Sequence, residues 1–284
     1  MLTNSFIHIQ GIGEITEKRL WEHGLQSWDA HLPDDRIPIS AARQSILKDS
    51  LAESRCYLDQ NDPTFFAGRL PSNQVWRLFP EFRASTVYLD IETTGLERPY
   101  AAITTIGLYD GQTIKTYVAG QNLDDFVTDI QNYKVIVSYN GRCFDIPFIE
   151  DFFSIKLHQA HIDLRYVLSS LGYKGGLKGC ERQLGLDRGD LSGVDGFFAV
   201  LLWHDYRRNG NDRALETLLA YNVQDTVTLA TLMQIAYNLK IEQTPFRELR
   251  RLPRTNLPPN PFTADRQTID RLKYSAGFSY AADG

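Results

Sequence analysis

Thr86-Val87-Tyr88-Leu89-Asp90-Ile91-Glu92-Thr93-Thr94-Gly95 decides the reading of this chain. Thr86 to Ile91 is β-branched and apolar, the composition of a buried strand, and Glu92 to Gly95 supplies a turn. Residues two apart on a strand point the same way, so Asp90 and Glu92 send both carboxylates to one side of the sheet. Like charges at the end of a buried strand are costly unless a cation lies between them. By itself Asp-x-Glu also marks solvated strand ends. The apolar run before it, and a turn of small residues whose amides can approach a substrate, are what give the pair weight.

Working outward, Ala102 to Tyr109 and Thr113 to Val118 read as two more strands, joined through Asp110-Gly111-Gln112, where Asp-Gly signals a hairpin. Asn122 is expected to cap a helix through Gln131, and Val135 to Ser138 is a short apolar strand. From Asp145 the chain reads helical, with Phe144, Phe148, Ile149 and Phe152 facing inward, then Asp163 to Leu171, then helices as far as Lys240. This order predicts an α/β fold, a mixed sheet flanked by helices. The expected division is a mainly helical segment over 1–83, the α/β domain over 84–241 and a Pro/Arg-containing arm over 242–284, extended because of its prolines.

Two further acidic positions attract attention. Asp145 follows the strand Val135 to Ser138 within Asn140-Gly141-Arg142-Cys143-Phe144-Asp145-Ile146-Pro147-Phe148. Asn-Gly re-aims the chain there, and Asp145 opens a helix, so it reads either as a helix cap or as a site carboxylate bracketed by Asn140 and Phe144. Tyr221 and Asp225 are four apart on the predicted helix 212–240, in a stripe with Leu218, Leu229 and Leu232. A carboxylate in a core-facing stripe needs a partner. No Lys or Arg stands at helical spacing, which leaves a metal as the simplest one.

Together these three pieces resemble the motifs of the DEDD superfamily of 3′-5′ exonucleases, in its tyrosine (DEDDy) form, whose fold is ribonuclease H-like. Val87 to Leu96 is similar to the first motif, Asn140 to Phe148 to the second, and Tyr221-Asn222-Val223-Gln224-Asp225 to the third. Trp76-Arg77-Leu78 and Gly175-Gly176-Leu177-Lys178 add a resemblance to the YprB-type ribonuclease H-like group. The resemblance implies Asp90, Glu92, Asp145 and Asp225 as ligands of two Mg2+ or Mn2+ ions, an all-oxygen set suited to hard cations. It implies Tyr221 as a neutral residue orienting water, and Thr93, Leu96, Asn140 and Phe144 as neighbours of the terminal nucleotide. The implied substrate is single-stranded DNA or RNA with a 3′ end, shortened to nucleoside 5′-monophosphates.

The rest of the sequence sets bounds. Hydrophobic residues at 43% suffice to fill a core, while a net charge of -5 argues against a wide basic nucleic-acid face. Three scattered cysteines indicate neither a disulfide framework nor a zinc knot, and His158 and His161 read as a solvated pair. No apolar run approaches the roughly 18 to 20 residues of a membrane span, and the first twenty residues lack a secretory pattern, so a cytoplasmic location is expected. Phe6 to Gly13, followed by Glu14 to Trp21, is similar to a helix-hairpin-helix turn, or else forms a capped helix packing Leu20 and Trp21. Lys174, Lys178 and Arg182 either contact phosphate or solvate a helix. Arg247, Arg250, Arg251 and Arg254 either guide a strand or pair with acidic residues. Two other functions compete with the exonuclease: a catalytically idle nucleic-acid-binding module, and a structure-specific endonuclease of the same fold.

Overall fold

The computed structural model describes every residue except 32, 98, 99, 192, 254, 255 and 278–284, so Arg254 lies outside the described residues. The N-terminal part contains α1 (Glu14–Glu22), α2 (Ala41–Asp59) and two single turns, α3 (Thr64–Ala67) and α4 (Phe79–Phe82). Five strands follow with their helices: β1 (Thr86–Thr93), β2 (Ile103–Tyr109), β3 (Ile114–Val118), α5 (Asp125–Asp129), β4 (Val135–Ser138), α6 (Asp145–Phe153) and β5 (Ala160–Asp163). Then come α7 (Leu164–Ser170), α8 (Gly176–Gln183), α9 (Gly196–Asn209), α10 (Asp212–Ile241), α11 (Arg247–Arg250) and α12 (Arg266–Ser275).

The sheet order is β3-β2-β1-β4-β5, with β1, β2 and β3 antiparallel and β4 and β5 parallel to β1. This is the mixed sheet flanked by helices that the sequence predicts. Alternation along β1 assigns its faces. Val87, Leu89 and Ile91 join Phe126, Phe148 and Ile149 in one core, whereas Tyr88 packs on the other side with Val227 and Tyr237 of α10. Asp90 and Glu92 therefore face α10. The strand runs two residues beyond its expected end: Glu92 pairs with Thr105, and the register breaks only before Thr93.

Several local expectations need correction. Asn122 caps no helix, because its Oδ1 accepts from Val118 N (2.9 Å) and its Nδ2 donates to Thr116 O (3.0 Å), pinning the end of β3 instead. The helix is only Asp125–Asp129. Phe152 points outward, exposed beside a buried Phe148 and Ile149. His161 is not solvated: it lies in β5, an edge strand the sequence reading missed, with Nε2 2.8 Å from Ser138 Oγ, and burial pushes its pKa down to about 4.

Before Gly11 the chain forms only a single 3-10 turn, Leu2–Asn4. Phe6 N and Ile7 N donate inward to Glu17 Oε1 (2.7 and 3.1 Å), and Leu20 and Trp21 pack inward as expected, although Gly13 at the start of α1 supplies no side-chain cap. The Pro/Arg-containing stretch is fastened to the body. Asn238 of α10 clamps the backbone of Leu252 from both sides (3.0 and 2.9 Å), Asn260 donates to Ala220 O (2.7 Å), and Phe246 and Ile269 are buried. Of its arginines, Arg251 pairs with Glu242 (3.1 Å), Arg247 with Glu248 (3.4 Å), and Arg250 donates to Thr3 Oγ1 (3.3 Å).

Candidate active site

The site begins with a close approach. Gly107 lies opposite Asp90 in β2, and a Cβ there would stand 2.3 Å from Thr226 Oγ1 and 3.1 Å from Asn222 Oδ1. Only glycine lets α10 lie this close to the sheet. In that contact Asn222 Nδ2 donates to Asp90 Oδ2 (2.8 Å) and to Asp90 O (3.2 Å). Asp225 is three residues further along the same helical face. Ligand atoms of Asp90, Glu92 and Asp225 consequently lie within 4.8 Å of one another, with Glu92 and Asp225 buried and Asp90 half-buried.

Asp145 stands beside this trio but outside it. It is the first helical residue of α6, and Phe144 occupies the cap position, so its carboxylate is not spent on capping. Its Oδ1 instead accepts a long bond from Ile91 N (3.3 Å), between Asp90 and Glu92 in sequence. The loop that delivers it is held by Asp163, whose carboxylate accepts from Asn140 N (2.8 Å), Arg142 N (3.1 Å) and Arg165 N (3.0 Å). The sequence reading used Asp163 only as a helix start. It also locks the left-handed Asn140 (φ 65°) in place.

A cavity of about 540 Å3 opens beside Asp90 and Asp145, which line it with Asn140, Phe144, Arg165 and Lys174, whereas Glu92 and Asp225 are not part of its lining. Thr93 and Leu96 do not line it. Thr93 is buried with Oγ1 donating to Gly95 O (2.6 Å), and Leu96 is 80% exposed on the turn that follows β1. Arg182 is exposed on α8, whereas Lys178 is half-buried with its ammonium 4.9 Å from the Tyr221 ring centroid.

Asp225 also has a partner that helical spacing did not reveal. Arg188, from the loop after α8, pairs with both Asp225 and Glu181, the latter at 2.7 Å, and lies 5.4 Å from the buried Tyr221 ring. The expectation of a metal as the simplest partner of Asp225 therefore omitted Arg188, which already faces it. Burial opposes charge on Arg188, yet Asp225 and Glu181 beside it hold its pKa above the ordinary value. Elsewhere acid is in excess. Burial, then repulsion from Asp225, raises Asp90 and Glu92 well above the usual carboxylate range, Asp145 adding to both, and burial pushes Asp145 up to about 7. Burial and the same carboxylates raise the Tyr221 phenol, which therefore stays neutral.

The RNase_H_2 family model, described as RNase_H superfamily, matches residues 87–237, from β1 through most of α10. The chain belongs to the RNase_H superfamily. Among solved structures, the family B DNA polymerase from the hyperthermophilic archaeon Pyrobaculum calidifontis is similar with a TM-score of 0.43 and 15% identity. That match covers 54% of this chain and 25% of the polymerase chain. No curated protein matches in sequence. Among the described residues of this RNase_H-superfamily protein, no helix is long and apolar enough to cross a membrane.

The carboxylate cluster fits divalent cations. Its donors are all oxygens, repulsion from Asp225 adds to the burial that raises Asp90 and Glu92, and among the described residues Asn222 donates to Asp90 and Arg188 to Asp225.

Proposed function

We propose that the protein is a metal-dependent nuclease that shortens single-stranded DNA or RNA from a 3′ end, releasing nucleoside 5′-monophosphates. The convergence of Asp90, Glu92 and Asp225 from two distant stretches onto one 4.8 Å cluster, with Asp145 beside it on the backbone of Ile91, carries this reading. Family membership supports phosphodiester chemistry at this place in the fold. Asp90, Glu92, Asp145 and Asp225 would hold two Mg2+ or Mn2+ ions, which when bound supply the Lewis acidity for hydrolysis and offset the charge of the phosphate.

The protein's own groups prepare the rest. Asn222 fixes the rotamer of Asp90, and Asp163 fixes the loop that aims Asp145. Tyr221, held neutral, orients water by hydrogen bonding and takes no proton. Asn140 and Phe144 line the cavity where the terminal nucleotide would lie, whereas Thr93 and Leu96 lie outside its lining.

One observation favours a second reading, a nucleic-acid-binding module without turnover: Arg188 already neutralises Asp225. A 5′-labelled single strand, DNA and RNA in parallel, incubated with Mg2+, Mn2+ or chelator, separates the possibilities. A ladder shortening from the 3′ end supports the exonuclease, internal cuts an endonuclease, and binding without cleavage under any metal the idle module. Tyr221→Phe is expected to slow cleavage, and Asp90→Ala to abolish it.

A further inference from the structure

In the connection between α8 and α9, Arg188 bridges two buried carboxylates with one nitrogen for each. Its Nη1 donates to Glu181 Oε2 (2.7 Å) and its Nη2 to Asp225 Oδ1. Glu181, 1% exposed on α8, is left with its Oε1 buried and without a partner among the described residues, and Arg188 Nε is in the same state. A buried carboxylate oxygen that has lost water and found no donor is costly.

A second buried pair shows the completed arrangement. Arg77 gives its two terminal nitrogens to the two oxygens of Glu17 (2.9 Å each), and its Nε donates to Gln74 Oε1 (3.0 Å). Two parallel bonds of this kind are the stronger and more specific way to join a guanidinium to a carboxylate. Arg188 forgoes them. Its partners sit on regular helices, Glu181 on α8 and Asp225 on α10, whereas Arg188 lies between Gly185 (φ 71°) and Gly189 (φ 52°), outside any helix or strand. Of the three groups, the guanidinium on its long side chain is the one best able to move. Lys178, the other cation over the Tyr221 ring, is already spent on Val194 O.

We propose that Arg188 is an internal counter-ion that holds Asp225 until a divalent ion binds, and then passes its Nη2 from Asp225 to the open Oε1 of Glu181. The inference rests on the reading of Asp90, Glu92, Asp145 and Asp225 as cation ligands. Arg188 makes two charge-assisted bonds before the exchange and two after it, and the second set fills the acceptor that burial left open. The cost of stripping Asp225 of its partner is thereby offset inside the protein. Without Glu181, a displaced guanidinium would stay buried beside the ions with no counter-charge of its own, which opposes ion binding. Glu181 is on this account a positioning residue: it acts on the cluster only through Arg188.

The test measures Mn2+ affinity by calorimetry on the metal-stripped full chain, in the parent, Glu181→Gln, Arg188→Met and the double variant. Arg188→Met should bind Mn2+ tighter and Glu181→Gln weaker, each by roughly tenfold to a hundredfold. In the double variant Glu181→Gln should have no effect, because there is no guanidinium left to receive. A fixed charge pair behaves otherwise, since losing the Glu181 charge would then weaken binding in both backgrounds. A crystal structure of the parent with Mn2+ needs no variant to fold, and Arg188 should be found on both oxygens of Glu181. The proposal is overturned by Arg188 remaining on Asp225 with Mn2+ bound, by equal effects of Glu181→Gln in the two backgrounds, or by Mn2+ binding no tighter in Arg188→Met. Those results leave the cation-ligand reading standing. Absence of Mn2+ binding in both the parent and Arg188→Met overturns the two together.

Discussion

The protein buries charge in two ways. Near the N-terminal turn, Glu17 is 1% exposed, yet its carboxylate accepts from Phe6 N, Ile7 N and both arms of Arg77. Under β1 and α10, Asp90, Glu92 and Asp225 crowd together with one amide on the first and one guanidinium on the last. A saturated buried charge is architecture, since every lone pair that lost water has found a donor. An unsaturated cluster is stored electrostatic cost, the usual mark of a site that awaits a ligand.

The largest effect should come from making the same neutral substitution in both regions. Glu17→Gln leaves Arg77 buried without its counter-charge and is expected to cost about 3–5 kcal/mol. Asp90→Asn or Glu92→Gln relieves repulsion and should raise the unfolding midpoint of the metal-free protein, while removing metal-dependent cleavage. Urea unfolding in chelator reads both. Should the two substitutions move stability in the same direction, the contrast is wrong.

Next in size is the pH dependence. In the folded, metal-free protein Asp145 keeps its proton to about 7, whereas the unfolded carboxylate loses it near 3.8. The folded state thus binds more protons between those values, and stability falls as pH rises through them. Asp90 and Glu92, raised further by burial and repulsion, act in the same direction. His8 and His161 oppose this at lower pH. Burial pushes them to about 3 and about 4, so they take up protons on unfolding below 6.5 and are neutral in both states above it. In chelator, Asp145→Asn should therefore change the pH dependence of the melting temperature between pH 3.8 and about 7, and a fall that continues above about 7 belongs to Asp90 and Glu92. Saturating Mg2+ should flatten the slope. A flat profile without metal would contradict the unsaturated cluster.

How much of this contrast the sequence reveals depends on the reach of each interaction. The first four strands and the helix Asp212–Ile241 carry apolar runs or helical stripes of their own, and the turn Asp110-Gly111-Gln112 is a local signal. Asp90 with Glu92, and Tyr221 with Asp225, are legible because each pair shares one element. Strand β5 is four residues long and contains His161, too short for alternation to register. Arg188 meets Asp225 across 37 positions, and Arg77 meets Glu17 across 60, so no periodicity records either pair. The clamp of Asn238 on Leu252 shows the same limit: proline-rich composition predicts extended chain there, but not that a helix asparagine holds it down.

Gly107 bears on only one of the two kinds of burial, so Gly107→Ala is the mildest way to tell them apart. The added Cβ meets Thr226 Oγ1 and Asn222 Oδ1, both fixed on a fully packed face of α10, so the helix must shift outward. Overpacking of this kind costs about 1–3 kcal/mol. The Glu17–Arg77 pair, anchored on other elements, should be indifferent to the shift. The carboxylate cluster should not be, because Asn222 and Asp225 ride on the moving helix while Asp90 and Glu92 stay on β1. Mg2+ or Mn2+ affinity measured by calorimetry should therefore weaken more than the loss of stability alone explains. If ion affinity is unchanged while stability drops, the spacing between β1 and α10 does not set the cluster, and the cation site must lie elsewhere.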